Sequence, residues 1–144
     1  MSEGPGREPA APGGALEDDG YCFGCGPRNP VGLHLAFAWD GDTYCTHWTP
    51  APEHQGWAGR VHGGLVATVL DEALSRAALE RHGLSWVTAE LTTRLKRPVP
   101  VGQPLRVEAR IVLVRPRLIV CEGTVRAPSG GGPFAWGRAK MMRA

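Results

Sequence analysis

The chain has 144 residues, of which 42% are hydrophobic and 21% are charged, a composition typical of one soluble globular domain. Its formal net charge of +2 is too small to indicate a nucleic-acid-binding protein. Four cysteines are too few for a secreted disulfide scaffold, and no signal peptide or bilayer-spanning apolar run is visible, so we expect a cytoplasmic protein without nucleic-acid or membrane partners.

Before its longest apolar segment, the sequence predicts a tail, a β-hairpin and a loop. Residues 1–20 are rich in Gly, Pro and acidic residues, so we expect a disordered N-terminal tail and a single domain over residues 21–144. Apolar residues alternate over Leu33–Trp39 and Thr43–Thr49, and the Asp-Gly-Asp sequence between them is a hairpin signal. The prolines and glycines of residues 50–61 predict a loop.

The second half of the chain predicts one long helix followed by antiparallel strands. A helix is expected from about Gly64 to about Arg81, because apolar residues recur there at the i, i+3, i+4 spacing. Alternating patterns then predict strands over residues 86–96, 104–116, 117–127 and 134–144. This order predicts an α+β fold in which a curved antiparallel sheet wraps around one central helix, with a free sheet edge suited to pairing with a second copy.

The start of the predicted helix combines two features of a reactive site. Gly63 and Gly64 follow His62 and carry no Cβ, so the backbone can approach a ligand closely. The unpaired N–H groups of a helix start attract an anion or a developing oxyanion. Asp71 places a carboxylate within the otherwise apolar helix. A donor site and a carboxylate together indicate acyl transfer or hydrolysis.

These residues carry a family resemblance. The chain resembles hotdog-fold acyl-CoA thioesterases of the phenylacetic-acid-degradation (PaaI-like) type, from about Cys22 to its C-terminus. The strongest match is Gly59–Glu72, with the His-Gly-Gly turn and an Asp nine residues after the His. The strand that ends before Pro98 and the opening sequence CFGCGPRNPVGLHL are also similar. The resemblance implies a hotdog fold and hydrolysis of a small or medium, including aromatic, acyl thioester.

The resemblance also implies roles for individual residues. The Gly63 amide would donate to the thioester carbonyl, and Asp71 would act as general base on a water or as nucleophile. Thr88 would hold the water, and Gln55 would replace an Asn that many relatives carry one residue later. In such enzymes the donor turn and the carboxylate come from different subunits, which implies an obligate dimer or a tetramer built from dimers. No cofactor or metal is required.

Substrate contacts are expected near the same turn. His62 and Gly64 would shape it, and Trp57 would line an acyl pocket. The basic residues that follow the helix would meet the phosphates of coenzyme A, with a solvated sheet face as the alternative. They are Arg94, Lys96, Arg97, Arg115 and Arg117.

Cys22 and Cys25 form a CxxC motif with three open interpretations. A structural turn is favoured, because no second cysteine pair accompanies it and the histidines have no metal-ligand spacing. A metal shared with histidines or a second subunit, and a redox role, are the alternatives. Glu72 lies about 100° around the helix from Asp71, so a structural or dimer-facing role is expected for it.

Three functions from different classes follow from the sequence. The first is a thioesterase acting on acyl-CoA or acyl-carrier protein. The second is a non-catalytic hotdog protein that binds acyl-CoA as a sensor or carrier. The third is a hydratase of related fold, which would require an Asp and a His together on one segment, whereas His62 here precedes the glycines.

Overall fold

The computed structural model describes residues 16–144. The disorder predicted for residues 1–15 therefore lies outside the described residues. Residues 16–20 contain no helix or strand, and Asp18 Oδ2 lies 3.3 Å from Arg76 Nη1.

One antiparallel sheet and one long helix make up the described domain. The sheet order is β1-β2-β4-β5-β6-β3, and every neighbouring pair is antiparallel. The curved sheet packed on one helix confirms the predicted α+β fold. The elements are β1 (Ala38–Asp40), β2 (Thr43–Trp48), a 3-10 turn (Pro52–His54), α1 (Gly63–His82), β3 (Trp86–Leu95), β4 (Leu105–Arg115), β5 (Leu118–Arg126) and β6 (Ala135–Arg143).

The helix approaches the sheet most closely over two glycines. Gly123 of β5 and Gly137 of β6 lie directly opposite each other in the sheet. A Cβ at Gly137 would come within 3.3 Å of Leu70, and one at Gly123 would come within 3.2 Å of Leu74. Leu70 and Leu74 are both fully buried. The paired glycines therefore create the room in which the central leucines of α1 pack.

The first strand is shorter than the sequence predicts. A strand was expected over Leu33–Trp39, but β1 comprises only Ala38–Asp40. The N–H groups of Leu33 and Leu35 instead donate to the carbonyl oxygens of Phe23 and Gly24, at 2.8 and 2.9 Å. The segment from residue 33 therefore binds the cysteine-containing turn, and this competing partner is invisible in the alternating pattern.

The strand β3 lies at one edge of the sheet. It is ten residues long and pairs with β6 on one side. On its other side no strand pairs with it within the part of the chain that the structure describes. Among residues 16–144, no helix is long and apolar enough to cross a membrane.

Replacing Leu74 with alanine tests the central packing. Because this side chain is fully buried, Leu74→Ala is expected to lower the free energy of unfolding by about 2–5 kcal/mol. Leu84→Ala is the matched control, since Leu84 is 49% exposed, and it should cost less than about 1 kcal/mol. Urea unfolding at one fixed protein concentration measures both, and equal losses would contradict the packing described here.

Candidate active site

The start of α1 leaves one backbone donor free. The Nδ1 atom of His62 accepts a hydrogen bond from Gly64 N–H at 2.9 Å, so His62 caps the helix through its ring. The N–H groups of Leu65 and Val66 donate to His62 O, at 2.9 and 3.1 Å. For Gly63 N–H, residues 16–144 provide no acceptor. This N–H therefore stands unpaired at the positive end of the helix dipole.

A cleft of about 310 Å³ opens beside Gly63. Leu95 and Val66 provide apolar walls, and Trp57 stands at the cleft with 84% of its surface exposed. Arg97 also lines it, with its guanidinium carbon 4.3 Å from the centre of the Phe134 ring. The structure thus brings together four of the predicted residues: Gly63, Trp57, Lys96 and Arg97.

Asp71 and Thr88 form a second group. Thr88, near the start of β3, donates its hydroxyl hydrogen bond to Asp71 Oδ1 at 2.8 Å. Both side chains are half-buried, between solvent and the apolar core. Met141 Sδ, on β6, lies 3.4 Å from the same hydroxyl. Two residues predicted from distant positions in the sequence therefore share one direct contact.

The two groups are separated along the helix within one chain. Asp71 follows Gly63 by eight residues, which corresponds to about 12 Å along the axis. A single thioester carbonyl cannot contact both groups at that separation. Within one chain, Gly63 and the Asp71–Thr88 pair therefore form two separate groups.

The predicted residue Gln55 lies in the loop before α1. Its side-chain oxygen accepts a hydrogen bond from Gly59 N–H at 3.1 Å, and its backbone forms an isolated bridge with Val61. His62 N–H also donates to the backbone oxygen of His54 at 2.9 Å. Gln55 thus shapes the loop that presents the His-Gly-Gly turn.

The five predicted basic residues form two groups. Arg94, Lys96 and Arg97 lie at the end of β3, which pairs with the start of β6. Arg115 and Arg117 flank the turn before β5, and the first residue of β5 pairs with a residue near the end of β6. The two groups therefore lie at opposite ends of β6, which are about 20–25 Å apart. Within one chain, the strand directions therefore separate the two turns that carry these residues.

Glu72 has a partner that the sequence analysis did not identify. Cys22 Sγ lies 3.6 and 3.5 Å from the two carboxylate oxygens of Glu72. Burial and the adjacent Glu72 carboxylate raise the pKa of the Cys25 thiol. A carboxylate next to Asp71 on the helix and a CxxC motif were both visible in the sequence, but their contact depends on the fold.

A model of the thioesterase superfamily matches residues 58–133, more than half of the chain. The chain belongs to the thioesterase superfamily. Within it, acyl-coenzyme A thioesterase THEM4 from Xenopus laevis is 28% identical over 78 residues, or 54% of this chain. The match spans only 35% of that protein.

Solved structures in the thioesterase superfamily share the fold. The superfamily protein RHA08564 is 26% identical, with a TM-score of 0.77 over 85% of this chain and 60% of that one. PaaI from the phenylacetic acid degradation operon of E. coli is 20% identical, with a TM-score of 0.68 over 77% of this chain and 84% of that one. At this identity, the likeness to PaaI concerns the fold alone.

The capping role of His62 can be tested apart from substrate binding. His62→Ala removes the acceptor for Gly64 N–H and should lower the free energy of unfolding by about 1 kcal/mol. His62→Asn offers an oxygen in a similar place and should restore most of this loss. Thermal and urea unfolding measure both variants. Equal destabilisation by alanine and asparagine would show that the cap is not what His62 contributes.

Proposed function

We propose that this protein is an acyl-CoA thioesterase that hydrolyses small or medium acyl groups, aromatic ones included. Membership of the thioesterase superfamily supports thioester chemistry, and the THEM4 name supports coenzyme A as the carrier. The observation that carries the proposal is the Thr88–Asp71 hydrogen bond at 2.8 Å. It fixes a carboxylate beside a hydroxyl in a half-buried position, an arrangement suited to holding a water molecule.

In the proposed reaction, Asp71 removes a proton from the water as that water attacks the thioester carbonyl carbon. Thr88 keeps the carboxylate oriented through its hydrogen bond. The carbonyl oxygen becomes an oxyanion, and Gly63 N–H donates to it at the helix start. When the tetrahedral intermediate collapses, the C–S bond breaks, and the leaving thiolate receives the proton from Asp71.

The proposed site is completed across a dimer. The separation of Gly63 from Asp71 along α1 supports a donor turn from one subunit and a carboxylate from its partner. The free edge of β3 supports pairing between two copies, because a ten-residue unpaired edge tends to acquire a partner strand. Thr88 lies on this strand, so the proposed dimer would bring the catalytic residues close to the subunit boundary.

The cleft beside Gly63 supports an assignment for the substrate. Its apolar walls, including Leu95, and the exposed ring of Trp57 suit an acyl group. Lys96 and Arg97 line the same cleft and carry the positive charge that the phosphates of coenzyme A require. Arg97 is held in place by its contact with the Phe134 ring.

Replacing Asp71 tests the proposed chemistry. Asp71→Asn should lower kcat by at least about 100-fold, since it removes the base with little change in shape. Thr88→Val should lower kcat less, because the carboxylate remains but loses its orienting hydroxyl. Thiol release from benzoyl-, phenylacetyl- and straight-chain acyl-CoAs measures both. Asp42→Asn, in the exposed hairpin turn, is the matched control and should retain activity.

The outcomes of this assay separate the two leading functions. Turnover by the wild-type protein that disappears in Asp71→Asn, with fold and oligomeric state unchanged, supports the thioesterase. Binding of acyl-CoA without turnover of any substrate would contradict it and favour a sensor or carrier.

Mixing two inactive variants tests the shared site. Gly63→Pro removes the donor N–H. The backbone is compatible with proline, because proline suits the first helical position and His62 has φ −59° and ψ 131°. A Cβ at this position would lie 2.9 Å from the end of the flexible Leu95 side chain, which must shift to make room. Heterodimers of Gly63→Pro with Asp71→Asn contain one intact site if the site spans two subunits. Activity should therefore reappear on mixing and subunit exchange. Failure to reappear, with heterodimers demonstrated by mass, would place the site within one subunit.

A further inference from the structure

A second cluster of reactive side chains lies on another side of α1. The ligand atoms of Cys22, Cys25 and Glu72 all lie within 4.8 Å of one another, and each residue is half-buried. Glu72 is about 100° around the helix from Asp71, so this cluster is separate from the proposed catalytic carboxylate. The thioesterase reaction proposed above uses none of the three residues.

The spacing of the cluster suits a tetrahedral metal ion. Bonds of about 2.3 Å to sulfur and about 2.0 Å to oxygen place the two ligand atoms about 3.5 Å apart around a tetrahedral zinc ion. Cys22 Sγ lies 3.5 and 3.6 Å from the Glu72 oxygens. The Cys22–Glu72 pair is therefore already at the distance that zinc requires, and Cys25 lies within 4.8 Å of both. Binding would replace the thiol protons by the metal.

Two glycines bring the cysteine turn to this position. Gly26 N–H donates to Cys22 O at 2.8 Å, and a Cβ at Gly26 would overlap the backbone of Cys22. A Cβ at Gly24 would lie 2.6 Å from the carboxylate carbon of Glu72. The turn is thus folded tightly around its two sulfur atoms and pressed against the carboxylate. Any side chain at position 24 would therefore push Glu72 away.

The surroundings of the cluster favour a cation with an open coordination position. Two thiolates and one carboxylate carry one more negative charge than Zn²⁺ balances, and the neighbouring Arg76 interacts electrostatically with Cys25 and Glu72. Cys22 and Arg76 also line a cleft of about 350 Å³ that is open to solvent. A water molecule can reach Cys22 from this cleft.

We propose that Cys22, Cys25 and Glu72 bind a zinc ion, with water from the adjacent cleft as the fourth ligand. Thiolates favour zinc over magnesium or calcium, and carboxylates also bind it. The ion would fasten the turn that carries Cys22 and Cys25 to the side of α1, which is a structural role. This proposal replaces the sequence-based expectation of a chain without metal and does not depend on the proposed thioesterase activity.

Metal content and cobalt spectroscopy test the site. The full chain, expressed with added zinc and without a histidine tag, should contain about one zinc ion per chain by mass spectrometry of the metal. Cys22→Ser, Cys25→Ser and Glu72→Gln should each lose most of it. Cys45→Ser is the matched control, since Cys45 lies in β2 outside the cluster, and it should keep its zinc.

Spectroscopy of the wild-type chain loaded with Co²⁺ tests the site without any variant, so the result does not depend on how the variants fold. Replacing zinc with Co²⁺ should produce the near-ultraviolet charge-transfer absorption of thiolate ligands and the visible bands of tetrahedral cobalt. Chelation should lower the thermal midpoint of the wild-type protein more than that of Cys22→Ser. A metal-free protein that takes up neither ion, or an intact mass showing a Cys22–Cys25 disulfide, would overturn the proposal.

Discussion

The packing of α1 against β5 and β6 is the constraint on which the rest of the structure depends. Gly123 and Gly137 face each other beneath Leu70 and Leu74, so the helix sits closer to the sheet than a side chain at either glycine would allow. This contact fixes the rotation of the helix about its axis. The rotation then decides which residues of α1 face the core, β3 and the N-terminal segment.

With the helix fixed, two adjacent acidic residues acquire different surroundings. Asp71 points towards β3 and accepts a hydrogen bond from Thr88, while Glu72 points towards the cysteine turn. A helix separates consecutive side chains by about 100°, so neighbours in sequence serve different parts of the molecule. One helix can thereby carry a proposed catalytic carboxylate and a proposed zinc ligand without conflict between them.

Two residues of the helix lie far apart but are proposed to serve the same reaction. Gly63 and Asp71 are proposed to act on one substrate, although the rise of the helix holds them far apart in a single chain. The free edge of β3 offers a physical means of joining two copies. A fold built on one rigid helix thus suits a site shared between subunits, because neither residue needs to move within its own chain.

The sequence by itself determined the helix and the strands after it, because 3.6-residue and alternating periodicities are local signals, and its His-Gly-Gly turn and Asp71 marked the proposed site. It did not predict that Leu33 and Leu35 bind the cysteine turn, that the basic residues separate into two groups, or that Glu72 meets Cys22. Only the tertiary structure decided these three features, because each depends on which residues from distant parts of the chain the fold brings into contact.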